Sequence, residues 1–347
     1  MLRLFLLTVL VLITFFTSAQ EKQKYKIAVV AFYNLENFYD TVHNPMVNDI
    51  EFTPKGEKGY SGKIYNLKTS KLATVISKIG TDEKPISIDG PALIGVAEIE
   101  NDTVLNDLIH HPLLSDRNYK FVHYDSKDLR GIDVALLYNP KRFVVEDSKP
   151  LILYIKGRPQ FHTRDILWVK GKLDGETIHI YVNHWPSRLG GEEESAPYRA
   201  AAALLCKKNI DSIAFADGLQ KVIIMGDLND DPTSASIINV LGAKEKKEDV
   251  KKGGIYNPWI ELFKKGLGTL AYNDSWGLFD QIMVTSLWLD KHQAGYFYFR
   301  QHIFKREFMT ENIGQYKGYP MRTWDGNNYR GGYSDHFPTY IVLLKKL

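Results

Sequence analysis

Side chains that can bind a hard cation or move a proton recur along this sequence, each beside an apolar run. The set comprises Asn34, Glu98, His184, Asp227, Asn229, Asp280, Asp335 and His336. Carboxylate and amide oxygens are the ligands that Mg²⁺, Mn²⁺ and Ca²⁺ prefer, and imidazole exchanges protons near neutral pH. Phosphate-ester hydrolysis needs these groups, because charge on the phosphate must be neutralised, water oriented and the transition state stabilised.

Each of these motifs is weak evidence when taken alone. Gly226-Asp227-Leu228-Asn229 has the composition of an ordinary turn, and Ser334-Asp335-His336 could cap a helix. A glutamate after an apolar strand, such as Glu98, is commonly a surface residue. The hypothesis of a hydrolytic site therefore depends on the joint occurrence of the motifs at the ends of apolar runs.

The elements that must position these residues follow from apolar periodicity. Strands are predicted over 26–32, 91–97, 119–124, 133–138, 151–155, 166–172, 177–183, 222–225, 281–285 and 339–344. Helices are predicted over 63–79, over 105–109, and from Ser195, as N-cap with Pro197 in the first turn, to about Lys208. The order of strands and helices predicts one α/β domain with extensive mixed sheets.

In this order, the polar motifs resemble the endonuclease/exonuclease/phosphatase superfamily. Pancreatic-type deoxyribonuclease, apurinic endonuclease, neutral sphingomyelinase and inositol polyphosphate 5-phosphatase are members. The resemblance spans about residues 26 to 345, and its most diagnostic elements are Gly-Asp-x-Asn at 226–229 and Ser-Asp-His at 334–336. It implies a four-layered sandwich, in which two mixed β-sheets pack face to face and are flanked by helices.

The resemblance also implies a metal site. Asn34 and Glu98 match the amide and the acid that hold the catalytic metal, and Asp335 matches a further acid near it. The expected cofactor is Mg²⁺, with Mn²⁺ and Ca²⁺ as alternatives.

The same resemblance assigns catalytic roles to five other residues. His184 and His336 match the two histidines that face the phosphate, and Asp227 matches the acid that activates water. Asn229 matches the amide that positions phosphate or water. Asp280 matches the acid that orients a histidine, and we expect that histidine to be His184.

Five further side chains are candidates for contacting substrate, namely Arg130, Arg164, Trp185, Arg188 and Arg199. An arginine can bind phosphate through two parallel hydrogen bonds, and a tryptophan can stack on a base or a sugar. Surface ion pairs for the arginines and core packing for Trp185 are the alternatives.

The first 19 residues have the pattern of a secretory signal peptide. A basic start at Arg3 precedes an apolar stretch from Leu4 to Phe16 and small residues up to Ala19. We therefore predict a phosphoesterase domain over 20–347 and a secreted or periplasmic location, with an uncleaved anchor as the alternative. No second apolar run has the length of a membrane span. The single cysteine, Cys206, excludes an internal disulfide and a zinc site built from several cysteines.

The sequence leaves the substrate open. A phosphodiesterase or nuclease acting outside the cytoplasm is the leading prediction, and a phosphatase or lipid phosphodiesterase for sugar, inositol or sphingolipid phosphates is the alternative. A formal net charge of +3 does not indicate a strongly basic nucleic-acid binder. A catalytically inactive binding domain is disfavoured because no central position is missing. The expected partner is a phosphate-ester substrate, with nucleic acid as one candidate, and no stable protein partner is predicted.

Overall fold

A computed structural model of the protein describes residues 23–82 and 86–347. The predicted signal peptide, residues 1–19, lies outside the described residues, and its presence stays a prediction. Within the described ranges, no helix combines the length and the apolar character that crossing a membrane requires.

The described chain forms strands and helices in the following order. The strands are β1 (Tyr25–Phe38), β2 (Leu93–Ile99), β3 (Lys120–His123), β4 (Asp133–Tyr138), β5 (Phe143–Leu151), β6 (Ile166–Leu173), β7 (Glu176–His184), β8 (Val222–Asp227), β9 (Ile255–Tyr256), β10 (Leu270–Tyr272), β11 (Ser275–Gly277), β12 (Asp280–Thr285), β13 (Tyr296–Ile303), β14 (Trp324–Asp325), β15 (Asn328–Tyr329) and β16 (Thr339–Lys346). The α-helices are α1 (Gly62–Lys78), α2 (Asp102–Ile109), α3 (Glu192–Asp217) and α4 (Trp259–Lys264).

The strands form two six-stranded mixed sheets and two small hairpins. The first sheet has the order β13-β16-β1-β2-β4-β3, and the second has the order β5-β6-β7-β8-β12-β9. Each sheet contains one parallel pair near its centre, β1 with β2 and β7 with β8, while the other pairs are antiparallel. The hairpins are β10–β11 and β14–β15.

Successive side chains along the central strands point to opposite faces of their sheet, and this alternation produces the layers of the sandwich. In β1, Val30 and Phe32 join the core between the two sheets, whereas Val29 and Ala31 pack on the opposite face with residues of α1 and α2. The outer face of the second sheet packs on α3 in the same way. The observed four-layered sandwich of two mixed sheets flanked by helices confirms the predicted fold class.

Close approach of the two sheets explains the glycine in the middle of β2. A Cβ atom on Gly95 would lie 2.5 Å from the Met225 sulfur of β8, in the opposite sheet, and 3.1 Å from the Phe32 ring. Such distances are shorter than van der Waals contact, so a larger residue here would have to displace the Met225 side chain, and glycine lets the sheets pack closely.

Two predicted elements are wrong in their limits. The strand predicted over 151–155 is the half-exposed β5, which ends at Leu151 and pairs with β6 at the sheet edge. Its charged residues obscure the apolar pattern. Helix α3 begins at Glu192 and continues to Asp217, so Ser195 and Pro197 lie inside it. The Ser195 hydroxyl donates to the Gly191 carbonyl oxygen instead of capping the helix.

A buried carboxylate ties the two sheets together at one edge. Asp174, in the β6–β7 turn, accepts hydrogen bonds from Arg142, from Lys26 at 2.6 Å and from the Tyr296 hydroxyl at 2.6 Å. Burial opposes ionisation, but these donors outweigh it and lower the pKa of Asp174 to about 2.

We expect Asp174→Asn to lower the free energy of unfolding at pH 7 by about 1.5–3 kcal/mol, the usual contribution of hydrogen bonds to a charged group. Because the carboxyl has a lower pKa in the folded chain than its unfolded value near ~4, this stabilisation is present above about pH 4 and is lost between about pH 4 and pH 2. Denaturant unfolding at pH 7 and at pH 2.5 measures the difference, and an equal loss at both pH values would contradict the assignment.

Candidate active site

The catalytic candidates meet at one edge of the sandwich because the central strands of both sheets end there. Asn34 lies where the regular pairing of β1 with β2 ends, Glu98 is the last residue but one of β2, and His184 and Asp227 end β7 and β8. Asp280 opens β12 opposite Asp227. The turn before β16 adds Asp335 and His336 from the first sheet.

A buried acid and imidazole form the firmest contact of the site. Asp280 is fully buried, and its Oδ2 lies 2.7 Å from His336 Nδ1. Burial disfavours the imidazolium, but Asp280, Asp227 and Asp335 outweigh this and hold the pKa of His336 well above its ordinary value. His336 is therefore cationic at neutral pH, with Nδ1–H donating to Asp280 and Nε2 directed toward Asp227 at 3.8 Å.

The prediction that Asp280 orients His184 is wrong. His184 and Asp280 face Asp227 from its two opposite sides, since β8 pairs with β7 through His184 and with β12 through Asp280. Two strand spacings of about 4.8 Å separate β7 from β12, so the carboxylate cannot reach the His184 ring. The turn before β16, contributed by the other sheet, supplies the histidine that Asp280 orients.

Asp227 lies at the centre of the cluster. Its Oδ2 accepts a hydrogen bond from Asn34 Nδ2 at 3.0 Å and lies 3.7 Å from His184 Nε2. Its Oδ1 accepts the backbone N–H of Asn229 at 3.0 Å. Burial raises the pKa of Asp227 to about 6, the nearby Asp280 adds to this, and His336 counteracts it. A carboxylate with this pKa ionises close to neutral pH and can accept a proton from water.

Glu98 is held in an unfavourable backbone conformation. Its φ of 60° lies in the left-handed region, and the pairing of β2 with β4 shifts register between Ala97 and Ile99, as in a β-bulge. Its Oε2 accepts the Asn37 N–H at 2.8 Å, which directs Oε1 to within 3.8 Å of His184 Nε2. Strain of this kind is concentrated at functional sites, where the surrounding structure maintains it.

His184 has the opposite protonation behaviour to His336. Burial lowers its pKa well below the ordinary value, and the positive charges of Arg164, Arg130 and His336 lower it further. The site thus pairs a neutral imidazole with a cationic one, on either side of Asp227. Divergent pKa values of this kind are typical of acid and base roles.

The side chains around Asp227 include a candidate acidic and histidine site for a divalent cation. Ligand atoms of Asp227, Asp280 and His336 lie within 4.8 Å of one another. Glu98 directs one carboxylate oxygen into the site, and Asp335, one third exposed, lies at its rim with Oδ1 3.9 Å from His336 Nε2. The carboxylate oxygens of this cluster suit a hard cation such as Mg²⁺, whereas His336, already hydrogen-bonded to Asp280 through Nδ1, is not counted among the ligands.

Two of the predicted substrate-binding residues are structural instead. Arg199 is fully buried, with Nε 2.6 Å from Asp230 Oδ1. Trp185 is 1% exposed, and its indole N–H donates to Asn183 Oδ1 at 2.9 Å. The predicted contact of Arg199 and Trp185 with substrate is therefore wrong, because buried partners already occupy their polar groups.

The other three arginines differ in access to the site. Arg164 is a third predicted substrate-binding residue that is structural instead, since it is buried and donates to Asp128 and to the Trp185 carbonyl oxygen in the loop after His184. Arg188 is one quarter exposed, and its Nε donates to the Asn229 carbonyl oxygen at 2.9 Å. Arg130 is exposed, and the charges of Glu98 and Asp227 raise its pKa despite burial of part of the side chain.

Three residues that sequence reasoning left out of the site support it. The Ser334 hydroxyl donates to the Asn34 carbonyl oxygen at 2.7 Å and accepts the His336 N–H, which joins the last motif to the end of β1. The other two residues, Glu36 and Lys68, are buried close to each other and to Asp335. The sequence contained one indication of the role of Lys68. This lysine lies on the apolar face of the helix predicted over 63–79, and a buried lysine requires a polar partner.

We expect Asp280→Asn to lower kcat by about 10²–10⁴, because the amide no longer stabilises the His336 imidazolium. The pKa of His336, followed by NMR titration, should fall, and the melting temperature tests whether the fold is kept. An unchanged His336 titration would show that Asp280 is not its orienting acid.

We expect Arg199→Ala to destabilise the fold by about 3–5 kcal/mol, since it leaves Asp230 as an uncompensated buried charge. Arg130→Ala should instead keep the melting temperature and raise KM at least about tenfold, as expected for one lost charge-assisted hydrogen bond. Thermal unfolding and steady-state kinetics on the two variants measure the contrast. A normal melting temperature with raised KM in Arg199→Ala would reverse the assignment.

Comparison with known proteins gives the same fold. No curated protein matches the sequence. Among solved structures, humanized TDP2 of D. rerio has 14% identity, a TM-score of 0.55, and coverage of 91% of this chain and 98% of its own. D. rerio TDP2 with single-strand DNA product has 14% identity, a TM-score of 0.53 and the same coverage. The mannosyl-6-phosphatase of Bacteroides thetaiotaomicron VPI-5482 has 15% identity, a TM-score of 0.55, and coverage of 91% and 99%.

At the sequence level, the pattern of the Endonuclease/Exonuclease/phosphatase family matches residues 29–345. That range includes every catalytic and metal-binding candidate, and the observed sandwich is the one that the resemblance implied. The chain belongs to the endonuclease/exonuclease/phosphatase family of phosphate-ester hydrolases.

Proposed function

We propose that this protein is a divalent-metal-dependent phosphodiesterase that acts outside the cytoplasm. The observation that carries the proposal is the position of Asp227 Oδ2, 3.7 Å from His184 Nε2 and 3.8 Å from the Nε2 of His336, which Asp280 holds by a hydrogen bond of 2.7 Å. This arrangement offers a proton acceptor and two imidazole donors to one phosphoryl group.

The role of each catalytic side chain follows from its protonation state. Above about pH 6 the Asp227 carboxylate accepts a proton from the attacking water. The His336 imidazolium donates a hydrogen bond to a phosphoryl oxygen, and a neutral His184 adds a second donor. Asn229, held by its Nδ2 contact to the Trp185 carbonyl oxygen at 3.0 Å, keeps the loop after Asp227 in place.

We infer that a divalent cation completes the site, with Asn34, Glu98 and Asp335 as its protein ligands. When bound, the cation would neutralise charge that develops on the phosphate oxygens. The mixed exposure of this set, buried at Asn34 and open at Asp335, is suited to a site that a substrate also enters.

A phosphatase acting on a small phosphorylated molecule is the second candidate. A cavity of about 230 Å³ that Asp335 helps to line favours it, because a confined space beside the phosphate suits a compact group. The fold neighbours include TDP2 with single-strand DNA product and a mannosyl-6-phosphatase. Their low identity leaves the choice between them to experiment.

The extracellular or periplasmic location rests on residues 1–19 alone. Expression of the full chain in a bacterial host and N-terminal sequencing of the exported protein test it. An exported chain that begins near Gln20 supports the location, whereas a chain that retains Met1 contradicts cleavage.

We expect the purified domain to nick plasmid DNA with Mg²⁺ and to lose this activity with a chelator, because the phosphate charge is then no longer neutralised. His336→Ala should lower the rate by at least about 10². His110→Ala, at an exposed histidine after α2, is the matched control and should keep the wild-type rate. Nicking that persists in His336→Ala would contradict the site, and release of phosphate from small monoesters without nicking would favour the second candidate.

A further inference from the structure

The cavity beside Asp335 is built by two parts of the chain that have no assigned role. The turn of the β10–β11 hairpin contributes Tyr272 and Asn273, and the segment 311–330, between β13 and the last motif, contributes most of the remaining wall. With a volume of about 230 Å³ it has room for one ring, since pockets for drug-sized ligands begin near ~300 Å³.

Buried contacts fix this segment to the catalytic frame. Glu36, two residues after Asn34, accepts the backbone N–H of Thr323 at 2.7 Å and that of Trp324 at 3.3 Å. The buried Lys68 of α1 donates to the Thr323 hydroxyl at 2.7 Å. The cavity wall is therefore held in register with the metal-binding end of β1, and does not depend on a loose loop.

A chain of aromatic contacts runs from the catalytic motif to the cavity, where Tyr319 and Tyr316 are part of the lining. Phe337, next to His336, stacks on Trp276 with ring centroids 6.2 Å apart, and Trp276 contacts the edge of Tyr319 at 5.4 Å. The Tyr319 hydroxyl is held by Asp274 at 2.9 Å. Tyr316, about half exposed, lies 5.8 Å from Tyr319 at an angle of 43°, so the two rings line a corner and do not form a parallel clamp.

The cavity is lined by two arginines and three carboxylates, Glu311, Asp325 and Asp335, and each arginine lies beside one carboxylate. Arg322 Nη2 lies 3.5 Å from Asp335 Oδ2, and Arg330 Nη2 lies 3.4 Å from Glu311 Oε1. A guanidinium carries five N–H donors, so one such contact leaves it able to bind a ligand as well. Because carboxylates offset both arginines, the cavity does not favour a second phosphate, but it offers donors and acceptors side by side.

We propose that this cavity is the subsite for a polyhydroxylated ring, a sugar, joined to the phosphate that the catalytic residues attack. Hydroxyl groups donate and accept at once, which matches paired guanidinium and carboxylate groups, and the apolar face of a sugar ring packs on aromatic side chains such as Tyr316. The rings of Tyr316 and Tyr319 meet at 43°, so a planar base cannot stack between them. The proposal rests on the second candidate function, a phosphatase, and names its substrate class.

The test compares release of phosphate from glucose 6-phosphate and from ethyl phosphate, which has no ring, with Mg²⁺ present. Wild type should prefer the sugar ester, and Tyr316→Ala and Arg330→Ala should each lower the ratio of the two kcat/KM values at least tenfold. Tyr25→Ala is the matched control, because this half-exposed tyrosine begins β1, about 30 Å from Asn34 at ~3.3 Å per residue. It should leave the ratio unchanged.

Three results would overturn the proposal. One is a ratio that neither cavity variant changes, although their melting temperatures match wild type. Another is equal loss on both esters. The third is a larger loss with adenosine 5′-monophosphate than with glucose 6-phosphate, which would make the cavity a base-binding site.

Failure of the proposed function would be seen separately. If wild type hydrolyses neither monoester, the phosphatase candidate fails whether or not DNA is nicked, and calorimetry then tests the subsite by binding alone. Tighter binding of glucose 6-phosphate than of inorganic phosphate, by at least tenfold and lost in Tyr316→Ala, would support the subsite. Equal binding of the two would overturn it.

Discussion

The burial of two carboxylates beside one imidazole is the constraint on which the rest of the site depends. Asp227 and Asp280 are both almost completely buried, and they pair directly across adjacent strands. Two negative charges in such a place are costly unless a cation offsets them. His336 supplies that cation within the protein, and the fold must bring it from the other sheet.

This charge balance determines the protonation of the whole cluster. His336 keeps its proton because Asp280, Asp227 and Asp335 face it, whereas His184 loses its proton because burial and nearby positive groups act on it. Asp227, between them, has a pKa raised to about 6. The backbone contributes as well: Glu98 and Asn229 both adopt left-handed conformations, which turn their side chains at the ends of β2 and β8.

At this edge of the sandwich, one part of the chain provides the catalytic groups and another part provides the cavity that selects the substrate. Strand ends of both sheets provide the catalytic groups, and their geometry is fixed by sheet packing, as the Gly95 contact with Met225 illustrates. The cavity beside Asp335 comes from a hairpin and a connecting segment, which Glu36 and Lys68 anchor from behind. A scaffold of this kind can change its substrate through such segments while its strand ends stay the same.

The sequence by itself determined the residue types of the site, their placement at strand ends and most strands of both sheets, because apolar runs and the polar groups that follow them are local patterns. It also determined the family through its motifs. It did not determine which histidine Asp280 orients, since that depends on β8 lying between β7 and β12 and on a turn contributed by the other sheet. Nor did it show that Arg199 and Trp185 are buried, or that residues near 272 and 316–330 line one cavity with Asp335. Strand order, register and burial arise from contacts between distant parts of the chain, so only the tertiary structure decided them.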